Sequence, residues 1–180
     1  SGKYYGYPTE GDADGWAYET AYTPVGFYSA PGSRLTVVGI VSWFCKPFLD
    51  LNPLDPNTEY TFIWDGLVSL GTVTVAPGSS RWYTTQYTGG NFRIYAGSPR
   101  NAPTSTPPGL PAGGVVPDAF VDGTLLLSGQ MDTLNVLVTR ISGIYNGSFR
   151  TNYVCTGGTR YSEVGNMMSG LLSGLWCPVP

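Results

Sequence analysis

Phe120–Gly129 reads FVDGTLLLSG, Thr133–Ser142 reads TLNVLVTRIS, and Tyr145–Cys155 reads YNGSFRTNYVC. Three strand-like runs follow one another with glycine at or near each break, the signature of an all-β chain. In the middle run Leu134, Val136 and Val138 share one face, while Asn135, Leu137, Thr139 and Ile141 share the other. Apolar residues on both faces imply a strand covered on both sides or thinly covered outside. In the last run Phe149, Thr151, Tyr153 and Cys155 point one way, and Arg150, Asn152 and Val154 the other. The Asn146-Gly147 pair suits a two-residue hairpin, whose central residues need positive φ. The reading is an antiparallel pair, Thr133–Ser142 with Ser148–Thr156, with Gly143 able to shift the turn. Asp122-Gly123 marks a second turn or bulge before Leu125.

Working outward, 180 residues suffice for one domain with a sizeable core. Glycine (25) and proline (15) are abundant, but the prolines cluster as loop residues. Charged residues are only 12 % of the chain, so Thr, Ser, Gly and Tyr carry its polarity. A net charge of −3 with scattered basic residues argues against a nucleic-acid partner. No apolar run approaches the ~20 residues of a membrane span. The chain begins at Ser1 without a signal-peptide pattern, as a processed, exported chain would.

Residues 1–32 hold Tyr4, Tyr5, Tyr7, Trp16, Tyr18, Tyr22, Phe27 and Tyr28 but few aliphatic residues. No helical or strict strand period emerges, so the segment reads as an extended aromatic arm. Rings of this area need a dry home. The arm either wraps its own domain or packs on a neighbouring copy as a donated strand. Residues 33–180 then form a β-sandwich domain. Strand-like runs are Arg34–Phe44, Glu59–Asp65, Leu67–Val75, Arg81–Thr88 and Asn91–Ala96, the last two joined by a Gly89-Gly90 hairpin signal. Residues 97–118 carry six prolines and form the longest loop. Leu171–Cys177 is the last strand. The expected fold is an antiparallel β-sandwich, jelly-roll-like, with short strands and frequent turns.

The segments RWYTTQYTGGNFRIYA, from Arg81, and FVDGTLLLSG, from Phe120, resemble uncharacterised secreted bacterial proteins that are β-rich. The similarity covers roughly residues 59–160 and is one of layout. It implies export and a surface or matrix location, and it implies no activity. The sorted members end in a hydrophobic anchor and basic tail, whereas this chain ends WCPVP. Processing has removed that signal or it was never there.

Histidine is absent, which removes Ser-His-Asp and Cys-His sets and most zinc or copper sites. Paired carboxylates would remain for a glycosidase, but no acid pair stands out. Two acid-rich loops suit a hard cation such as calcium: Asp12 with Asp14, and Asp50 with Asn52 and Asp55. Each lacks the distal bidentate Glu of an EF-hand, and the alternative is an ordinary Asx turn. Three cysteines, Cys45, Cys155 and Cys177, leave three pairings open. A hairpin of 145–156 with 169–177 would separate Cys155 from Cys177, so Cys45–Cys155 is favoured. Cys177 is then a free thiol or an intersubunit link. The alternative is a set of small buried hydrophobes. Asn146-Gly147-Ser148 is a glycosylation-type sequon on the expected turn, and Pro103–Pro108 could carry O-glycans.

These readings favour a non-enzymatic, extracellular or cell-surface structural protein of bacterial origin. It would need no cofactor and would self-assemble into a filament or layer through its arm, with other copies of itself as partners. The alternative is a secreted carbohydrate-binding module, calcium-stabilised, with polysaccharide as its partner.

Overall fold

A computed structural model describes residues 9–19, 28–103, 118–164 and 169–175. The strands are β1 (Thr9–Glu19), β2 (Arg34–Pro47), β3 (Glu59–Val75), β4 (Arg81–Thr88) and β5 (Asn91–Gly97). They continue with β6 (Thr124–Met131), β7 (Leu134–Ile141), β8 (Ile144–Gly157) and β9 (Ser169–Leu175). Short 3-10 turns lie at Asp118–Phe120 and Tyr161–Glu163. Among the described residues every strand pairing is antiparallel, and the nine strands belong to one sheet.

The sheet is simpler than nine strands suggest. β4 pairs with the second half of β3, from Val75↔Trp82 to Val68↔Thr88. β5 pairs with the first half, from Asp65↔Asn91 to Glu59↔Gly97. The chain therefore passes from β4 to β5 without reversing. Gly89-Gly90, expected to be a hairpin, is instead a kink in one long strand. It lies opposite a matching kink at Gly66; Gly66 and Gly89 take φ of 74° and 66°, which glycine adopts without a Cβ clash. A Cβ on Gly90 would sit 2.7 Å from Leu67 Cδ2.

The same happens at Asp132-Thr133. β6 and β7 form one long strand, paired on one side with β5 and β4 and on the other with β8. Backbone bonds bridge the interruption: Met131 N donates to Gly90 O (2.9 Å) and Asp132 N to Asn152 O (2.8 Å). The connectivity is therefore an up-and-down meander of seven long strands, in chain order. It is not the paired Greek key of a jelly roll, and it departs from the expected short strands for the same reason.

Kinked strands let the sheet curl until its inner face closes on itself, which makes the all-β fold sandwich-like. Trp64 of β3 and Phe149 of β8 are three interstrand steps apart, about 14 Å across a flat sheet. Their ring centroids lie 5.4 Å apart, edge to face. The core between the halves includes Leu35, Phe62, Tyr87, Leu127, Leu134, Val136, Val138 and Tyr153. The inward faces are the ones the period-2 pattern gives for Thr133–Ile141 and Ser148–Cys155. Leu137 and Ile141 lie on the outer face and are exposed.

A second, smaller cluster covers the outer face of the first half of β3. Val38, Ile63 and Tyr95 meet Ala102 and Phe120 there. Thr61 Oγ1 donates to Phe120 O at 2.9 Å. This makes residues 59–64 buried on both faces, and it leaves the outer face of the other half uncovered.

One local expectation changes. The hairpin turn between β7 and β8 is Ser142-Gly143, both at positive φ (51° and 83°). Asn146-Gly147 lies within β8, opposite Thr139 and Val138. The earlier turn gives β8 a ladder that runs along β7 and on to β6 as far as Gly157, which the later turn would shorten. At the N-terminus, of the two homes expected for the arm, Thr9–Glu19 takes the one on its own domain, as the first strand of its own sheet, registered on β2 from Thr9↔Pro47 to Glu19↔Leu35. Two register shifts, at Thr9/Gly11 and Asp12/Ala13, interrupt the alternation and explain why no strand period was visible.

Candidate functional site

An open meander ends in two strands with a free side, and here these are β1 and β9. Among the described residues β1 pairs only β2, and β9 pairs only β8. β9 forms the expected terminal hairpin with β8, from Val154↔Ser169 to Ser148↔Leu175. Its bounds, Ser169–Leu175, start two residues earlier than the sequence pattern suggested.

The uncovered outer face runs between these edges over the second half of β3 and over β4, β7, β8 and β9. One register row is Val73, Thr84, Leu137, Ser148 and Leu175. The next is Val75, Trp82, Thr139 and Asn146. Trp82 is 46 % exposed and Leu175 83 %. Gln86 Nε2 donates to Asn135 Oδ1 (2.8 Å) on the same face. Sequence reasoning placed the functional rings at the N-terminus and missed Trp82. Its place in the alternating run Trp82, Thr84, Gln86, opposite the inward Tyr83, Thr85 and Tyr87, was the available signal.

The residues singled out from the sequence scatter over the fold. Tyr4, Tyr5, Tyr7, Tyr22, Phe27 and Cys177 lie outside the described residues. Trp16 and Tyr18 are on β1, opposite Val38 and Thr36. Tyr28 packs on its own chain: its ring meets Tyr83 edge-on at 5.4 Å, and its hydroxyl accepts from Thr74 Oγ1 at 3.2 Å. Asn146 is exposed but sits in a strand rather than on a turn tip.

Of the two acid-rich stretches, the first lies in a strand and the second takes the Asx-turn alternative. Asp12 and Asp14 belong to extended β1, opposite Trp43 and Ile40, so that backbone does not wrap an ion. In the other loop Asn52 Oδ1 accepts from Leu54 N (3.1 Å) and Asp55 Oδ1 from Asn57 N (2.9 Å), which are Asx turns. Asp55 Oδ2 accepts from Thr58 Oγ1 at 3.2 Å. Asp50 Oδ1 accepts from Arg160 Nη2 at 2.9 Å, and this hydrogen bond holds the Asp50 carboxyl below its usual range. Arg160 also pairs with Glu163 and lies over the Phe48 ring, so the loop is latched to the segment after β8. Among the described residues no three acidic, cysteine or histidine side chains gather as a metal site.

The favoured Cys45–Cys155 bridge is absent, because Cys155 is a free thiol. It is 2 % exposed and points into the core from β8, opposite Gly129 of β6, while Cys45 belongs to β2. Three long strands separate β2 from β8 in the sheet. Burial pushes the Cys155 thiol up to about 11, as expected of a small core hydrophobe rather than a reactive cysteine.

An open groove of about 410 Å³ is lined by Thr58, Ala96, Gly97, Ser98, Asp122, Gly123 and Thr124. The carboxylates near it are engaged in holding the loop after β5. Glu59, 3 % exposed, accepts from the backbone N–H of Asn101 and Ala102 (both 3.0 Å). Asp122 Oδ2 accepts from Asn101 Nδ2 at 2.8 Å. No helix among the described residues is long and apolar enough to cross a membrane. Compared with protein-family models, curated proteins and solved structures, the chain matches none.

Proposed function

We propose that this chain is a non-enzymatic structural protein of the cell exterior that self-assembles by exchanging its N-terminal strand between copies. The observation that carries the reading is that, among the described residues, β1 is the terminal strand of an open sheet. Lifting it away breaks a single ladder, the one with β2. The ladder it makes with its own β2 can be remade, residue for residue, on the β2 of a neighbour. Residues 20–33 join β1 to β2, and 14 residues fully extended reach about 45–50 Å. Tyr4, Tyr5 and Tyr7 precede β1 and would travel with it, adding ring burial to backbone pairing. The low charge and the Thr, Ser, Gly and Tyr content fit an extracellular matrix or surface layer.

Size-exclusion chromatography and negative-stain imaging test this on three chains: the full chain, a chain lacking residues 1–19, and a full-length Ala13→Pro/Ala17→Pro variant. Proline blocks ladder formation by β1 without shortening the chain. High-mass assemblies are expected from the unaltered chain and from neither of the others. Assemblies of undiminished size in both altered chains would overturn strand exchange.

One observation favours a second reading, a carbohydrate-binding module. Trp82 lies half exposed on the uncovered face beside Thr84, Thr139, Asn146 and the Gln86–Asn135 pair, an arrangement on which a sugar ring can stack. Monomers in all three preparations, with retention on polysaccharide that Trp82→Ala abolishes, would establish this reading instead.

A further inference from the structure

The two edges of the sheet are defended very differently. β1 carries Glu10, Asp12, Asp14 and Glu19, and its ladder with β2 contains two register shifts. Charges and bulges are the devices that stop an edge strand from recruiting another chain. β9 reads SGLLSGL, with no charge and no proline, and its register on β8 is unbroken over all seven residues. The outer-face row Val73, Thr84, Leu137, Ser148, Leu175 also ends on this strand, at a leucine that is 83 % exposed. An undefended edge bordered by apolar surface is the form of a pairing site.

The occupant follows from the meander. Seven alternating long strands make β1 and β9 run in the same direction, so a translated copy would bring β1 to β9 in parallel, the weaker pairing. That contact would also use the acidic edge. Pairing β1 with β1 would set four carboxylates against four. Pairing β9 with β9 across a two-fold axis is antiparallel and uncharged. Centred on Leu172, it places each Leu175 opposite a Ser169 and each Leu171 opposite a Ser173.

We therefore propose that β9 is a second self-contact, joining two copies edge to edge into one continuous sheet about a two-fold axis. It extends the self-assembly reading above but rests on a different strand, so either contact can fail alone. With β1 exchanged at the other end, alternation of the two joints would propagate a filament.

The test is hydrogen–deuterium exchange on the full chain as a function of concentration, beside a Ser173→Lys/Leu175→Lys variant. Both positions are exposed, so the lysines displace no core contact while defending the edge. In the unaltered chain exchange at residues 169–175 should slow at least about tenfold on association, as outward amides gain partners. The variant should lose this response while residues 134–157 exchange as before. Exchange at 169–175 that is independent of concentration in the unaltered chain overturns the proposal, even if the variant does not fold. So does a variant that associates through 169–175 unchanged. Failure of strand exchange reads out separately, at residues 9–19 and 34–47.

Discussion

The curl of the sheet makes a contact that a flat meander could not, Trp64 against Phe149. Their ring centroids are 5.4 Å apart across the core, where three flat interstrand steps would separate the strands by about 14 Å. A double-mutant cycle with Trp64→Leu and Phe149→Leu tests it. Each single change should cost about 1–3 kcal/mol, below the ~3–5 kcal/mol of full truncation to alanine, because leucine refills part of the space. In a chain of this length that lowers the melting midpoint by about 2–4 °C per kcal/mol. An edge-to-face pair adds about 0.5–1.5 kcal/mol beyond its buried area, so the double variant should lose less than the sum of the singles by that amount. Urea unfolding followed by far-ultraviolet circular dichroism measures all four proteins. Sites out of contact add to within about 0.3–0.5 kcal/mol. Additivity that close would mean the rings do not touch, and the curled, sandwich-like core described above would be wrong.

Two further outcomes follow from the site. The buried Cys155 thiol titrates near 11, above an exposed cysteine, so its neutral form favours the folded chain. That contribution is complete below the ordinary thiol range and is lost as pH rises toward 11. The melting midpoint of a Cys155→Ala variant should therefore fall less steeply between about pH 9 and 11 than that of the unaltered chain. Parallel curves would show that the thiol is not buried. Separately, Asp50 Oδ1, Asn52 Oδ1 and both carboxylate oxygens of Asp55 accept from Arg160 or from local donors. Adding a calcium chelator should leave the melting midpoint where it was. A drop of several degrees would restore a calcium loop.

Much of the fold was legible because strand alternation is a local property. Leu134, Val136 and Val138, and Phe149, Tyr153 and Cys155, face inward as their spacing dictates, whatever lies opposite. Tyr60, Phe62 and Trp64 do the same on β3. The all-β, antiparallel character follows from such runs and from the turn residues between them. What a glycine pair does is not local. Gly89-Gly90 and Asn146-Gly147 both look like hairpin tips, yet one is a kink and the other lies inside a strand. Their roles depend on which register lets the long strands pair end to end. The same holds for the N-terminus. Nothing within Thr9–Glu19 announces a strand, because its bulges break the alternation, and only the ladder offered by β2 makes it one. The sequence by itself decided which side chains turn inward. The tertiary structure decided where the chain reverses and which edges stay open, because both are settled by pairing between residues far apart along it.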